Sequence, residues 1–148
     1  MTGPAPGKVP IEARIELCSR DGCVPVAGRV YLHVKGWSFA RVTHVDVESP
    51  VLNELFPPGW RGYRLLVVRG GALRVKLGEP RYVGGLGVVA RELRIESGEL
   101  AGALGEGCRT WVFLGGKEGG VFLGFRRECI ARLEGLAAEK GVRPRGRI

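Results

Sequence analysis

From Ile11 the side chains alternate, with Ile11, Ala13, Ile15 and Leu17 set between Glu12, Arg14 and Glu16. This is the period of a strand with one face in a core and the other in water. The turn Ser19-Arg20-Asp21-Gly22 follows, then Val24 to Lys35, with Val30, Leu32 and Val34 on one face and Arg29, Tyr31, His33 and Lys35 on the other. Gly36-Trp37 turns the chain, and Phe39 to Val47 reads as a third strand. Ser49 as a cap and Pro50 at the first position predict a short helix to Phe56, stopped by Pro57-Pro58-Gly59. Tyr63–Arg69 and Ala72–Leu77 are joined by Gly70-Gly71, which supplies the positive φ angles of a two-residue hairpin turn. Pairing through that turn sets Val68 opposite Leu73 and Leu66 opposite Val75, and leaves Tyr63, Leu65, Val67, Arg69, Arg74 and Lys76 on the other face.

Three strands, a short helix and two strands is the order of an OB-fold. Further elements follow. Tyr82 to Glu96 reads as a glycine-tolerant strand that bends or bulges to close a barrel, with Leu93 and Ile95 inward and Arg94 outward. Ser97 to Gly107 is a loop or short helix. Arg109–Leu114 and Val121–Phe125 form a hairpin around Gly115–Gly120; both arms are continuously apolar, which predicts burial on both faces. Arg126 to Lys140 carries Ile130, Leu133, Leu136 and Ala137 on one helical stripe, with Gly141 to end it. The expected fold is mainly β: an OB-like antiparallel barrel with extra strands and a C-terminal helix. A flexible arm is expected over residues 1–10, a single domain over 11–140 and a basic tail over 141–148.

A chain of 148 residues is long enough for one sizeable core. It holds no apolar run of the length a membrane span needs and no signal-like N-terminus, so the expectation is a soluble cytoplasmic protein. Asn53 is its only Asn, Gln is absent, and Arg outnumbers Lys 18 to 5, a composition expected of a heat-adapted source, with a GC-rich genome as the alternative.

The net charge of +8 is uneven: residues 1–60 carry six basic and six acidic side chains, and residues 61–148 carry 17 and nine. Arg143, Arg145 and Arg147 crowd the tail. Clustered positive charge favours polyanions such as nucleic acid.

Several motifs resemble chemistry without its context. Gly85-Leu86-Gly87-Val88-Val89-Ala90 spells a dinucleotide-binding turn, but the alternating residues after it predict a strand where that turn requires a helix. Lys117 in Gly115–Gly120 is followed by Glu118 where a phosphate loop has Ser or Thr. The four cysteines lack the C-x-x-C spacing of a zinc site. Cys18 and Cys23 flank the first turn and are a candidate disulfide, with two small core thiols as the alternative. Through a Gly36-Trp37 turn His33 falls opposite Ala40, which leaves His44 about 13 Å away, too far to share a metal. His44 and Asp46 share a strand face as a base and its orienter would, but no nucleophile accompanies them. No catalytic group, metal or cofactor is expected, although an enzyme of another kind stays open.

The strongest binding signal is basic and aromatic. On the OB reading Arg29, Tyr31, His33, Lys35 and Trp37 lie on strands 2 and 3 or at their tip, Arg20 and Arg69 lie on the two loops that flank that face, and Arg74 and Lys76 lie on the outer face of the later hairpin. Rings exposed on such a face stack on bases, each stack contributing about 1–3 kcal/mol.

Order and texture together resemble the small subunit 8 family of archaeal and eukaryotic DNA-directed RNA polymerases. Phe39-Ala-Arg-Val-Thr-His-Val-Asp-Val-Glu, Leu55-Phe-Pro and Tyr63-Arg-Leu-Leu-Val-Val resemble its central strand pair with the Phe-Pro between. Tyr82-Val-Gly-Gly-Leu-Gly-Val-Val looks like its Tyr-Val-x-x-Gly strand, and Gly119-Gly-Val-Phe-Leu-Gly-Phe like its Gly-Gly-hydrophobic strand. The likeness spans roughly residues 28–125; the family ends on a strand where this chain ends on a helix and an arginine tail. The resemblance implies a noncatalytic barrel docked on the polymerase large subunit. The alternative expectation is a free-standing binder of single-stranded nucleic acid using Tyr31, Trp37, Lys35 and Arg69. Neither involves a membrane or a small-molecule cofactor.

Overall fold

The computed structural model describes residues 7–35 and 41–141. Ten strands run β1 (Gly7–Ile11), β2 (Arg14–Cys18), β3 (Cys23–Val26), β4 (Arg29–Lys35), β5 (Arg41–Glu48), β6 (Arg61–Arg69), β7 (Ala72–Val83), β8 (Val88–Glu96), β9 (Arg109–Lys117) and β10 (Gly120–Gly124). A 3-10 turn covers Pro50–Glu54, and helices α1 and α2 cover Gly98–Leu104 and Arg127–Glu139. All strands join one antiparallel sheet in the order β1-β4-β5-β10-β9-β6-β7-β8-β2-β3.

The two ends of that row belong to one bent hairpin. Gly7–Ile11 pairs with Val30–Val34 and Ile15–Cys18 with Cys23–Val26 in one common register, from Gly7 opposite Val34 to Cys18 opposite Cys23, with the ladder interrupted at the bend between them. Its base bonds β5 through β4, while its tip bonds β8 through β2. The row therefore curls back on itself as an OB-like barrel. The bend falls at Ala27-Gly28, so the stretch 24–35 expected as one strand is two, and Gly7 to Pro10, expected as arm, pair with β4. Pro10 and Pro25 sit on β1 and β3, the strands at the ends of the row, where a missing N–H interrupts no ladder.

The added strands are staves of this barrel. β10 and β9 stand between β5 and β6, and β8 joins β7 to β2. Gly70 and Gly71 take φ of +64° and +74°, and Val68 faces Leu73 and Leu66 faces Val75 as the hairpin pattern predicts. The glycines at Gly84–Gly87 form a turn between β7 and β8 and not a bend within one strand. A strand follows that turn, with Leu93 and Ile95 buried.

Inward side chains such as Leu32, Val45, Leu66, Leu73, Leu93 and Leu114 are fully buried. One end of the barrel is closed by Leu52 of the 3-10 turn with Leu55 and Phe56 just after it, and the other by the two helices, whose Leu100, Leu104, Leu133 and Leu136 join the same core. Ser97 caps α1, accepting from the Leu100 N–H at 3.1 Å. Ser49 does not cap the 3-10 turn; its hydroxyl donates to the Ala27 carbonyl at 2.8 Å. No helix among the described residues is long and apolar enough to cross a membrane.

Candidate functional site

The outer face of the barrel carries a belt of rings across five successive staves. His33 on β4 stacks on His44 of β5 with centroids 4.5 Å apart. His44 meets Phe122 of β10 at 5.4 Å, Phe122 meets Phe113 of β9 at 6.0 Å, and Phe113 meets Tyr63 of β6 edge-on at 5.3 Å. The register aligns them: His33 opposite His44, Phe122 opposite Gly115, and Phe113 opposite Tyr63. Gly115 is required there, because a Cβ on it would stand 2.3 Å from the Phe122 ring.

At the β6 end the belt opens into solvent. Trp111, opposite Leu65, is 58% exposed and Tyr63 is 64% exposed. With Lys76, Gly78 and Arg81 they line a shallow groove of about 300 Å³. Cations rim the belt: the Arg61 guanidinium lies 5.2 Å from the Phe122 centroid and the Lys8 ammonium 5.3 Å from that of Tyr31. Such placements are cation–π contacts.

Beneath the belt lies a buried charge. Asp46 is 1% exposed and accepts from Lys117 Nζ at 2.7 Å, with His44 Nε2 at 3.3 Å from the same Oδ1. Burial pushes the Asp46 carboxyl up, but hydrogen bonds from His44 and Lys117, reinforced by their charges, outweigh it and hold the group at about 2. Burial first, and then the charge of His44, lowers the pKa of His33.

The structure distributes the expected basic-aromatic residues over separate parts of the barrel. Arg29, Tyr31 and Lys35 do lie along the outside of β4, with Tyr31 half-buried under Lys8. Arg74 and Lys76 are on β7, with β5, β10, β9 and β6 between, and Lys76 is paired with Glu92 at 2.6 Å. Arg20 and Arg69 lie at opposite ends of the staves: the Arg20 turn follows Cys18, level with Glu92, while Arg69 is beside the level of Glu96 and Arg14. Trp37, Arg143, Arg145 and Arg147 lie outside the described residues.

Two further expectations are corrected, and the candidate disulfide is present. The β9–β10 hairpin is buried on one face only, since Trp111, Phe113 and Phe122 point out. Within its apolar arms the aromatic residues alternate with the aliphatic Val112, Leu114, Val121 and Leu123, and that alternation is the signal that distinguishes the faces. His33 stands opposite His44, not Ala40, because Lys35 pairs with Arg41 and a bulge inserts Thr43. Cys18 and Cys23, directly opposite one another, are joined by a disulfide. No family model, no curated protein and no solved structure matches the chain.

Proposed function

We propose that this protein is a noncatalytic module of the nucleic-acid machinery, an accessory subunit that docks on the large subunit of an archaeal-type DNA-directed RNA polymerase. The observation that carries the reading is the exposed Tyr63–Trp111 groove on a basic OB-like barrel. Two large rings held in water beside Leu65 and rimmed by Lys76 and Arg81 have the composition of an interface anchor, where aromatic residues and arginine dominate binding energy. The order of elements and the resemblance over residues 28–125 support the choice of partner. The test is purification of the tagged protein from its native host with and without nuclease. Large polymerase chains that stay bound after nuclease treatment support the reading; recovery of unrelated metabolic enzymes alone overturns it.

The ring belt favours a second reading, a binder of single strands. Rings on adjacent staves with Lys8 and Arg61 at their edges suit stacked bases and a phosphate backbone. On that reading single-stranded oligonucleotide binds with an affinity that falls steeply with salt, and the large chains are lost with nuclease.

A further inference from the structure

We infer that His33, His44 and Asp46 form a binding site for a divalent transition metal of the zinc type. The inference is independent of the nucleic-acid reading. The chain has two histidines, and the fold stacks them against each other beside the buried carboxylate of Asp46. One ligand atom from each of the three residues lies within 4.8 Å of the others.

One hydroxyl orients both rings. Thr43, the residue inserted at the bulge, has its Oγ1 2.9 Å from Nδ1 of both His33 and His44 and donates to the His33 carbonyl at 3.3 Å. A hydroxyl has one hydrogen and two lone pairs. Thr43 thus holds both rings by Nδ1, which leaves Nε2 of each ring turned away from the hydroxyl. A hydrogen bond on the far nitrogen of a ligating histidine is the usual outer shell of a metal site.

His44 Nε2 donates to Asp46 Oδ1 at 3.3 Å, and a metal bound here displaces that proton. A tetrahedral ion bonded to imidazole nitrogen and carboxylate oxygen at about 2.0–2.1 Å spans about 3.3 Å between adjacent ligands. Two imidazoles and one carboxylate select zinc, cobalt or nickel over magnesium and calcium, which take oxygen ligands.

Lys117 is the competitor built into the site. Its ammonium occupies Asp46 Oδ1 at 2.7 Å, so a metal that takes this oxygen releases Lys117, and the two cations exchange on one carboxylate. The consequence is a clamp between β4 and β5 at the bulge, beneath the ring belt.

The test is titration of the chelator-stripped full chain with cobalt(II) and zinc(II), read by cobalt d–d absorption and by calorimetry. One equivalent is expected, with the d–d spectrum of nitrogen and oxygen ligands. His33→Gln, His44→Gln and Asp46→Asn each weaken binding by at least about tenfold, and Lys117→Met tightens it by about tenfold, the scale of single-residue changes around a metal site. Because Lys117→Met leaves all three ligands in place, it is read even where a ligand variant fails to fold. Absence of binding, wild-type affinity in folded His44→Gln, an unchanged affinity in Lys117→Met, or a thiolate charge-transfer band marking Cys108 or Cys129 as the ligand each overturns the site.

Discussion

Phe122 lies over Gly115 on the neighbouring strand: a Cβ at Gly115 would stand 2.3 Å from both Cε2 and Cζ of the ring. The missing side chain makes room for the ring, and the ring in turn bridges His44 and Phe113 in the belt. Gly115→Ala therefore displaces Phe122 and is expected to destabilise the barrel by about 1–3 kcal/mol, the range of overpacking. In a Phe122→Leu background most of that loss disappears, because the clash has gone. Denaturant unfolding of the two single variants and the double variant gives the coupling, and additive losses would dismiss the contact.

Asn53, the chain's one asparagine, fastens the tip of the β9–β10 hairpin. Its Nδ2 donates to the carbonyls of Lys117 at 2.9 Å, Gly120 at 3.1 Å and Phe56 at 3.2 Å, and its Oδ1 accepts from the Gly119 N–H at 3.1 Å. Asn53→Ala leaves several backbone groups without partners and is expected to cost about 1–3 kcal/mol. Hydrogen exchange at Gly119 rises first, because that N–H loses its acceptor outright. Unchanged protection there would mean that the hairpin closes without the asparagine.

The inner face of the barrel was legible in the sequence because core formation repeats one simple signal at every stave. Val68 opposite Leu73, and Leu93 and Ile95 flanking an outward Arg94, follow from period-two alternation and a Gly-Gly turn alone. What could not be read were relations set by loop length and barrel closure. The register of His33 depends on how many residues join β4 to β5 and on one inserted threonine, and a shift of a few positions separates a stacked pair from two residues about 13 Å apart. Arg20 and Arg69 were expected on loops flanking one face, yet closure sets them at opposite ends of the staves. The outward rings were concealed by their own apolarity, since Trp111, Phe113 and Phe122 count as core in a hydrophobicity pattern.

Glu99 ties three elements together. Its Oε2 is 2.6 Å from Lys140 Nζ at the end of α2, and its Oε1 accepts from the Glu12 N–H at 3.0 Å between β1 and β2. The hydrogen bond from Lys140 lowers the Glu99 carboxyl against the opposing effect of burial. A carboxyl held low in the folded state stabilises it fully above the unfolded value of about 4.3, and that contribution is lost as pH falls through the folded value. The stability gap between wild type and Glu99→Gln should be level at neutral pH and close below about pH 4, as read by denaturant unfolding across that range. The pair is partly exposed, so the gap stays below about 1 kcal/mol and shrinks further in high salt. A gap that persists at pH 2 would assign the loss to packing and not to charge.

Trp111 separates the surface from the scaffold. Its side chain is 58% exposed while Val112 and Leu114 on the same strand are fully buried, so Trp111→Ala removes contact area from water without opening a cavity. Stability should stay within about 0.5 kcal/mol of wild type, whereas capture of the large polymerase chains should fall at least tenfold, the loss of about 1.4 kcal/mol or more that marks an anchoring side chain. Val112→Ala on the inner face should do the reverse, costing about 1 kcal/mol or more in stability while the folded fraction still captures its partner. The two variants compared by unfolding and by pull-down thus test the groove separately from the fold. Equal capture by wild type and Trp111→Ala would remove the groove from the interface and leave the ring belt further round the barrel as the surface to probe.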